Sequence, residues 1–207
     1  MTSSKVFDVL LIGGGVSGMS CALVLGSAKN KPFAADKKIG IIAHQKTSAL
    51  QEALINNAYG ITPGKLGADL LHESIQHLSE TYPQITQIPD EKVLKIEGEQ
   101  PEFTVITNKN TYKTKIIVLG IGSANTFAIE GLLHFVEPHQ KALPEKQRIQ
   151  LKNTDHKVTE GIYVIGTLAG WRSQVAIAAG SGAAVATDIL TLWNGGVQTH
   201  AHDSIRE

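Results

Sequence analysis

The residues Val6-Phe7-Asp8-Val9-Leu10-Leu11-Ile12 run directly into Gly13-Gly14-Gly15-Val16-Ser17-Gly18. A β-branched and aliphatic run with almost no polar alternation predicts a strand buried on both faces, the environment of a parallel sheet. Residues 19–26 are small and apolar, as in a helix packed tightly on that sheet. Gly13-x-Gly15-x-x-Gly18, set between such a strand and such a helix, has the spacing and context of a dinucleotide fingerprint. The first glycine permits the tight turn, the second lets the backbone approach a pyrophosphate, and the third lets helix and strand pack closely. Phosphates would rest on the free amides and positive dipole end of the helix start. A glycine-rich turn that serves close packing alone is the other reading of these residues.

Further strands are predicted at 39–43, 92–97, 102–107, 116–119 and 162–165, with an Asn108-Lys109-Asn110 turn between the third and the return through Tyr112. The strands from 92 to about 114 form a small meander ahead of the buried run Ile116-Ile117-Val118-Leu119. Thr62-Pro63 reads as an N-cap with proline at the first helical position, and Leu66, Leu70, Ile75 and Leu78 extend a helix to about Tyr82. Residues 49–60 are irregular or partly helical. The stretch 124–148 lacks periodicity and carries Pro138 and Pro144, which marks a connecting segment. Residues 174–192 form an Ala-rich helix with a small-residue face, and 195–207 a frayed tail.

An α/β domain with a parallel sheet follows from this order of elements. Its fingerprint lacks one part. An acidic residue at the end of the second strand should bind the ribose, yet that strand ends Ile41-Ile42-Ala43-His44-Gln45. His44 or Gln45 can make a hydrogen bond there, but neither supplies a carboxylate.

Composition narrows the function. With 42% hydrophobic and 18% charged residues the chain has the content of a folded core, and 19 basic residues balance 19 acidic ones. No net field draws it to nucleic acid or to a membrane surface. Asp8, a single preceding lysine and the glycines argue against an export signal over 6–15, and no uninterrupted run of 18 apolar residues argues for a membrane span. One cysteine, Cys21, excludes a disulfide or CxxC pair within these residues and favours the reducing cytoplasm. Cys21 reads as a packed core thiol. His134, His139, His200 and His202 show no metal-ligand spacing. Trp171 and Arg172 precede the last helix, where they either anchor a loop or cover a bound ring.

Residues 7–18 resemble the opening of the flavin-dependent thioredoxin reductases and their relatives in the pyridine nucleotide-disulfide oxidoreductase family. Matches continue in order. Asn57-Ala58-Tyr59-Gly60 with Thr62-Pro63-Gly64 is similar to the segment that passes the flavin, and Gly120-Ile121-Gly122 stands where the family has Ala-Thr-Gly. Ile129-Glu130-Gly131-Leu132 resembles the stretch that follows that turn. Residues 159–166, with Gln174-Val175-Ala176 and the glycines to 182, are similar to the second FAD motif and its helix.

The resemblance implies a single Rossmann-like FAD/NAD(P)-binding domain over 1–194, doubly wound, with a parallel sheet flanked by helices. It implies FAD as cofactor. Gly14, Gly15 and Ser17 would contact the pyrophosphate, Gln45 would take the ribose position, and Val93 beside Lys92 would meet the adenine through the main chain. Asn57 and Gly122 would lie near the flavin, and Gln174 to Ala176 would face its pyrimidine side, where the helix dipole stabilises negative charge. Two features depart from the family. Fewer than thirty residues separate Leu132 from Gly161, where the family inserts an NAD(P)H-binding domain with a second fingerprint and usually the CxxC pair. The family's Gly-Asp, whose carboxylate holds the ribityl chain, is Gly166-Thr167 here.

These residues imply an oxidoreductase that takes electrons from a separate small-molecule or protein donor, with a homodimer as the candidate assembly. A non-catalytic nucleotide-binding module and an NAD(P)-binding relative are the alternatives.

Overall fold

The computed structural model describes residues 6–45 and 48–202. The opening run is not one strand. Val6–Phe7 (β1) and Val9–Ile12 (β2) belong to different sheets, with Asp8 at the joint. The Asp8 carboxylate accepts from the Lys38 amide and from Lys115 Nζ, each at 2.9 Å. Burial opposes its ionised form, but these bonds and the nearby lysines outweigh that and hold its pKa below the ordinary value.

The chain then forms Val16–Ser27 (α1), Ile39–Ala43 (β3), Leu54–Ile55 (β4), Lys65–Leu66 (β5), Gly67–Thr81 (α2) and Thr86–Pro89 (β6). Val93–Glu99 (β7), Glu102–Thr107 (β8) and Thr111–Thr114 (β9) make the expected meander, followed by Ile117–Leu119 (β10). Val136–Pro138 (β11), Ile149–Leu151 (β12), Lys157–Thr159 (β13), Ile162–Val164 (β14) and Val175–Trp193 (α3) complete it.

The main sheet has the order β13-β14-β10-β2-β3-β6, in which all strands but β13 run parallel. A second sheet, β1-β9-β8-β7, lies on one face of it. Alternation along β2 and β3 sorts the side chains between two cores. Val9, Leu11, Ile39 and Ile41 pack with α1, α2 and α3, whereas Leu10, Ile12 and Ile42 pack with Phe103, Val105 and Tyr112 of the meander. Helices therefore cover one face of the parallel sheet and the meander covers the other.

Helix α2 starts at Gly67, not at the predicted Thr62-Pro63. Gly64 adopts φ +85, outside helical space, and Lys65–Leu66 pairs antiparallel with Leu54–Ile55. Strand β6 was not foreseen; it is short, polar at Gln87 and ends on Pro89. In the connecting segment, β11 pairs with β12. Of the tail, residues 195–202 are described: Gly195 and Gly196 turn the chain with φ +70 and +84, and Ala201 packs against the helical core.

Helix α3, with 19 residues and mean hydropathy 1.6, is long and apolar enough to cross a membrane by length and composition, which the lack of an uninterrupted apolar run had argued against. In this fold it buries Ser181, Gly182, Val185, Ala186, Ile189 and Leu190. Its small residues permit contact with α1. A Cβ on Gly182 would collide with the Ser17 carbonyl oxygen, and Ser20 Oγ donates to the Ala179 carbonyl at 2.8 Å.

Candidate functional site

Five parallel strands place their carboxyl ends along one edge, so the turns after β14, β10, β2, β3 and β6 form a row. At about 4.8 Å per strand the row spans about 19 Å. Crevices at such edges are where open α/β sheets bind ligands. Every predicted cofactor residue on these turns falls in this row.

The turn after β2 is built by its glycines. Gly13 has φ +116, and a Cβ there would collide with the Gly120 carbonyl, so the turns after β2 and β10 abut. A Cβ on Gly18 would strike the Gly13 carbonyl, so α1 sits directly on the turn. Gly15, the N-cap of α1, differs: its Cβ would meet nothing within 4 Å. That open space lies at the helix start, ahead of the first intrahelical bond from Met19 N–H to the Gly15 carbonyl. Unpaired amides at Val16 and beyond and a Cβ-sized gap suit a pyrophosphate.

Ser17 is buried, with its Oγ wedged between the turns after β10 and β14. A Cβ on Gly120 would lie 3.1 Å from it and one on Gly166 2.8 Å. Gly166 has φ +66 and donates its amide to Ser181 Oγ at 2.8 Å. Thr167 follows in a short 3-10 turn, Gly166–Ala169, and Gly122 presents open space at φ +82.

Beyond β14, Gln174 caps α3, with Val175 and Ala176 at the helix start. Asn57, on the β4–β5 loop, donates its amide to Gln174 Oε1 at 3.5 Å, joining two residues assigned to the flavin end from opposite parts of the chain. At the other end of the row the chain enters β7. Lys92 donates its amide to Asn108 Oδ1 at 2.8 Å and accepts from the Asn108 amide at 3.0 Å. Val93 is buried opposite Thr107 on the outermost strand of the meander.

After β3 the side chains divide. Gln45 Nε2 donates to the Gly14 carbonyl at 2.6 Å and to the Leu71 carbonyl at 3.4 Å, which closes the fingerprint turn. His44 Nδ1 is buried with no hydrogen-bond partner.

Glu91, which sequence reasoning missed, is buried between β6 and β7. It accepts from Thr107 Oγ1 and Asn110 Nδ2 at 2.6 Å and from the Tyr112 hydroxyl at 2.8 Å. Its partners lie 16 to 21 residues away, and no short-range pattern marks them. Cys21 is fully buried, and burial raises its thiol pKa far above the ordinary value.

Trp171 anchors the loop before α3. His156 stacks on it at 5.9 Å and Lys141 Nζ lies 4.4 Å from its ring centre. A polar pocket of about 170 Å³ opens there, lined in part by Ala169 and Gly170 at the end of the turn that follows β14. Its groups largely satisfy each other: Gln150 donates to Glu137 at 2.8 Å and accepts from the Gln140 amide at 3.0 Å. No group of three or more His, Cys, Asp or Glu side chains suited to a metal occurs among the described residues.

Comparison with known proteins gives the same picture. The ferredoxin-NADP reductase of Streptococcus mutans is 26% identical over 186 residues, covering 89% of this chain and 50% of that protein. The chain thus spans about half the length of the curated relatives it matches. A thioredoxin reductase from Gloeobacter violaceus superposes with a TM-score of 0.71 at 15% identity, covering 99% of this chain and 100% of that one. A ferredoxin-flavin thioredoxin reductase from Clostridium acetobutylicum gives 0.66 at 16% identity, with 92% and 99% covered. At such identities the superpositions show the fold. The family model for pyridine nucleotide-disulphide oxidoreductases matches residues 7–182, and the chain belongs to that family.

Proposed function

We propose that this chain is an FAD-binding flavoprotein of oxidoreductase type. The observation that carries the reading is the row of turns itself. A crevice about 19 Å long has a phosphate cradle at Gly15, midway, and a second helix start at its far end, which suits one elongated dinucleotide.

The adenosine lies toward His44 and Val93, the pyrophosphate over Gly14 to Ser17, and the flavin toward Gly122, Thr167 and the start of α3. When bound, the isoalloxazine supplies the electron transfer. The chain's own residues hold it, with Asn57 and Gln174 as a polar pair beside it and the α3 dipole favouring negative charge on the reduced ring. Electrons come from a small-molecule or protein donor outside these residues, because the segment between Leu132 and Gly161 is too short for an inserted nucleotide-binding domain and one cysteine cannot form a dithiol pair.

Release of the bound small molecule from purified protein, followed by chromatography against FAD, FMN and NAD(P) standards, tests the cofactor. FAD is expected. A colourless protein that shows no thermal shift with added FAD would overturn the reading. Turnover with dithionite and an acceptor separates an enzyme from a non-catalytic module.

A further inference from the structure

We infer that the pocket beside Trp171 binds a small organic cation with N–H donors, a guanidinium or primary ammonium head, held by His156 Nε2, Glu137 and Asp155 against the Trp171 ring. The pocket touches the turn after β14 at Ala169 and Gly170, and its chemistry does not depend on the cofactor being FAD.

His156 carries the argument. Asp155 and His156 have φ +47 and +69 and form the centre of a tight turn, closed by bonds of 2.9 Å in both directions between Thr154 and Lys157. Asn and Gly are the usual residues of turns with two positive φ angles, so a histidine is unusual there. It is only 6% exposed, and its Nδ1 lies 2.9 Å from the Val164 carbonyl. A carbonyl only accepts, so Nδ1 carries the proton and the neutral ring keeps its lone pair on Nε2. Nε2 makes no hydrogen bond within the described residues and is not sealed by protein atoms. Because so little of His156 is exposed and the residue lines the pocket, the opening that Nε2 meets is the pocket.

Other lining groups are already engaged. Asn153 donates to the Leu151 and Ala169 carbonyls and accepts from the His156 amide. Gln150 joins Glu137 to the Gln140 amide. The charged and ring-nitrogen groups left open are His156 Nε2, the second oxygen of Glu137 and the Asp155 carboxylate, all acceptors, and the Lys141 ammonium. Lys141 Nζ lies 4.4 Å from the Trp171 ring centre and, among the described residues, forms no ion pair. An aromatic face attracts cations, so the chain's own lysine occupies the place that a ligand cation would take. Acceptors that include two carboxylates favour a ligand that donates and carries positive charge. An anion would meet both carboxylates and a lone pair with Lys141 alone in its favour.

The test titrates the isotope-labelled full chain, as purified, with methylguanidinium chloride at about pH 8, where an ordinary imidazole is neutral. The Trp171 indole N–H signal, assigned with Trp171→Phe, is followed by nuclear magnetic resonance, and sodium chloride at equal ionic strength is the blank. A saturable shift in the millimolar range is expected. Asp155→Asn keeps a residue that tolerates positive φ and should weaken binding about two- to fivefold, the range of a partly exposed charge pair. Lys141→Met removes the resident cation and should tighten binding by a similar factor. His156→Phe keeps a ring on Trp171 and removes both nitrogens, so it should weaken binding about three- to tenfold. If melting shows that this variant does not fold, the opposed effects at Asp155 and Lys141 decide. A linear response equal to that of sodium chloride would overturn the inference. So would weaker binding in Lys141→Met, unchanged binding in Asp155→Asn, or acetate binding more tightly than methylguanidinium.

Discussion

Gly182 of α3 lies so close to Ser17 of α1 that a Cβ added to the glycine would overlap the Ser17 carbonyl oxygen and come within 3.0 Å of the Cys21 amide nitrogen. Both neighbours are backbone, so no side chain can swing aside. Gly182→Ala should therefore destabilise the protein by about 1 to 3 kcal/mol, the usual range for overpacking. Gly180, two residues earlier, is exposed and would give its Cβ open space. Gly180→Ala should stabilise by about 0.5 to 1 kcal/mol through helix propensity. Chemical denaturation of both variants checks the contrast; equal effects would mean that α1 and α3 are not in contact.

Gly15 predicts the opposite separation. Its φ of −77 suits any residue, and nothing stands within 4 Å of its Cβ position. Gly15→Val should cost the apoprotein about 1 kcal/mol or less, the loss of a favourable N-cap residue without any clash at Cβ. FAD affinity should fall by more than tenfold, because the side chain would occupy the pyrophosphate's approach. Apoprotein melting and FAD titration measure the two effects on one sample. A stability loss without an affinity loss would mean that the cradle is a packing feature.

These glycines explain why so much of the turn geometry was legible beforehand. A glycine forced by φ +116 at residue 13, or by close packing at 18, 120 and 182, is fixed by its own position in the chain. The buried runs at 39–43 and 116–119 were equally plain, since a strand covered on both faces needs apolar residues throughout. Features set by distant partners were not legible. Asp8 looked like an imperfection in a single strand until Lys38 and Lys115 were placed around it. Thr62-Pro63 carried a sound helix-start signal, but β5 pairs with β4 and delays the helix to Gly67. Gln45 stood at the ribose position by sequence, and nothing there marks the bond from its Nε2 to the Gly14 carbonyl.

Glu91 gives a pH-dependent prediction. Burial alone would raise its pKa, but the bonds from Thr107, Asn110 and Tyr112, with Lys109 nearby, lower it below the ordinary 4.5. A carboxylate with a depressed pKa in the folded state stabilises the protein above the unfolded pKa and loses that contribution as pH falls through the folded value. Unfolding free energy should therefore decline as pH drops below about 4.5. Glu91→Gln should flatten this slope and cost about 1.5 to 3 kcal/mol at pH 7, the value of hydrogen bonds to a charged group. Denaturation at a series of pH values measures both. An unchanged slope in the variant would show that other carboxylates carry the acid sensitivity.

Thr167 is a predicted weak point in cofactor retention. It stands directly after Gly166 at the carboxyl end of β14, and its carbonyl is already used by the Gly170 amide at 3.0 Å, so its hydroxyl and its main-chain amide are what it offers a ligand. A hydroxyl bonds a ribityl hydroxyl at the neutral value of roughly 0.5 to 1.5 kcal/mol, whereas a carboxylate contributes roughly 1.5 to 3 kcal/mol. The difference of about 1 to 1.5 kcal/mol is near tenfold in affinity. Thr167→Asp should tighten FAD binding by about that factor, provided that the pyrophosphate lies over Gly15 and far enough away for its charge to be screened. Titration of both apoproteins with FAD at two salt concentrations separates the terms: the hydrogen bond persists at high salt, and repulsion fades. Weaker binding by the variant at both concentrations would mean that the ribityl chain does not pass Thr167, and would move the flavin away from the turn after β14.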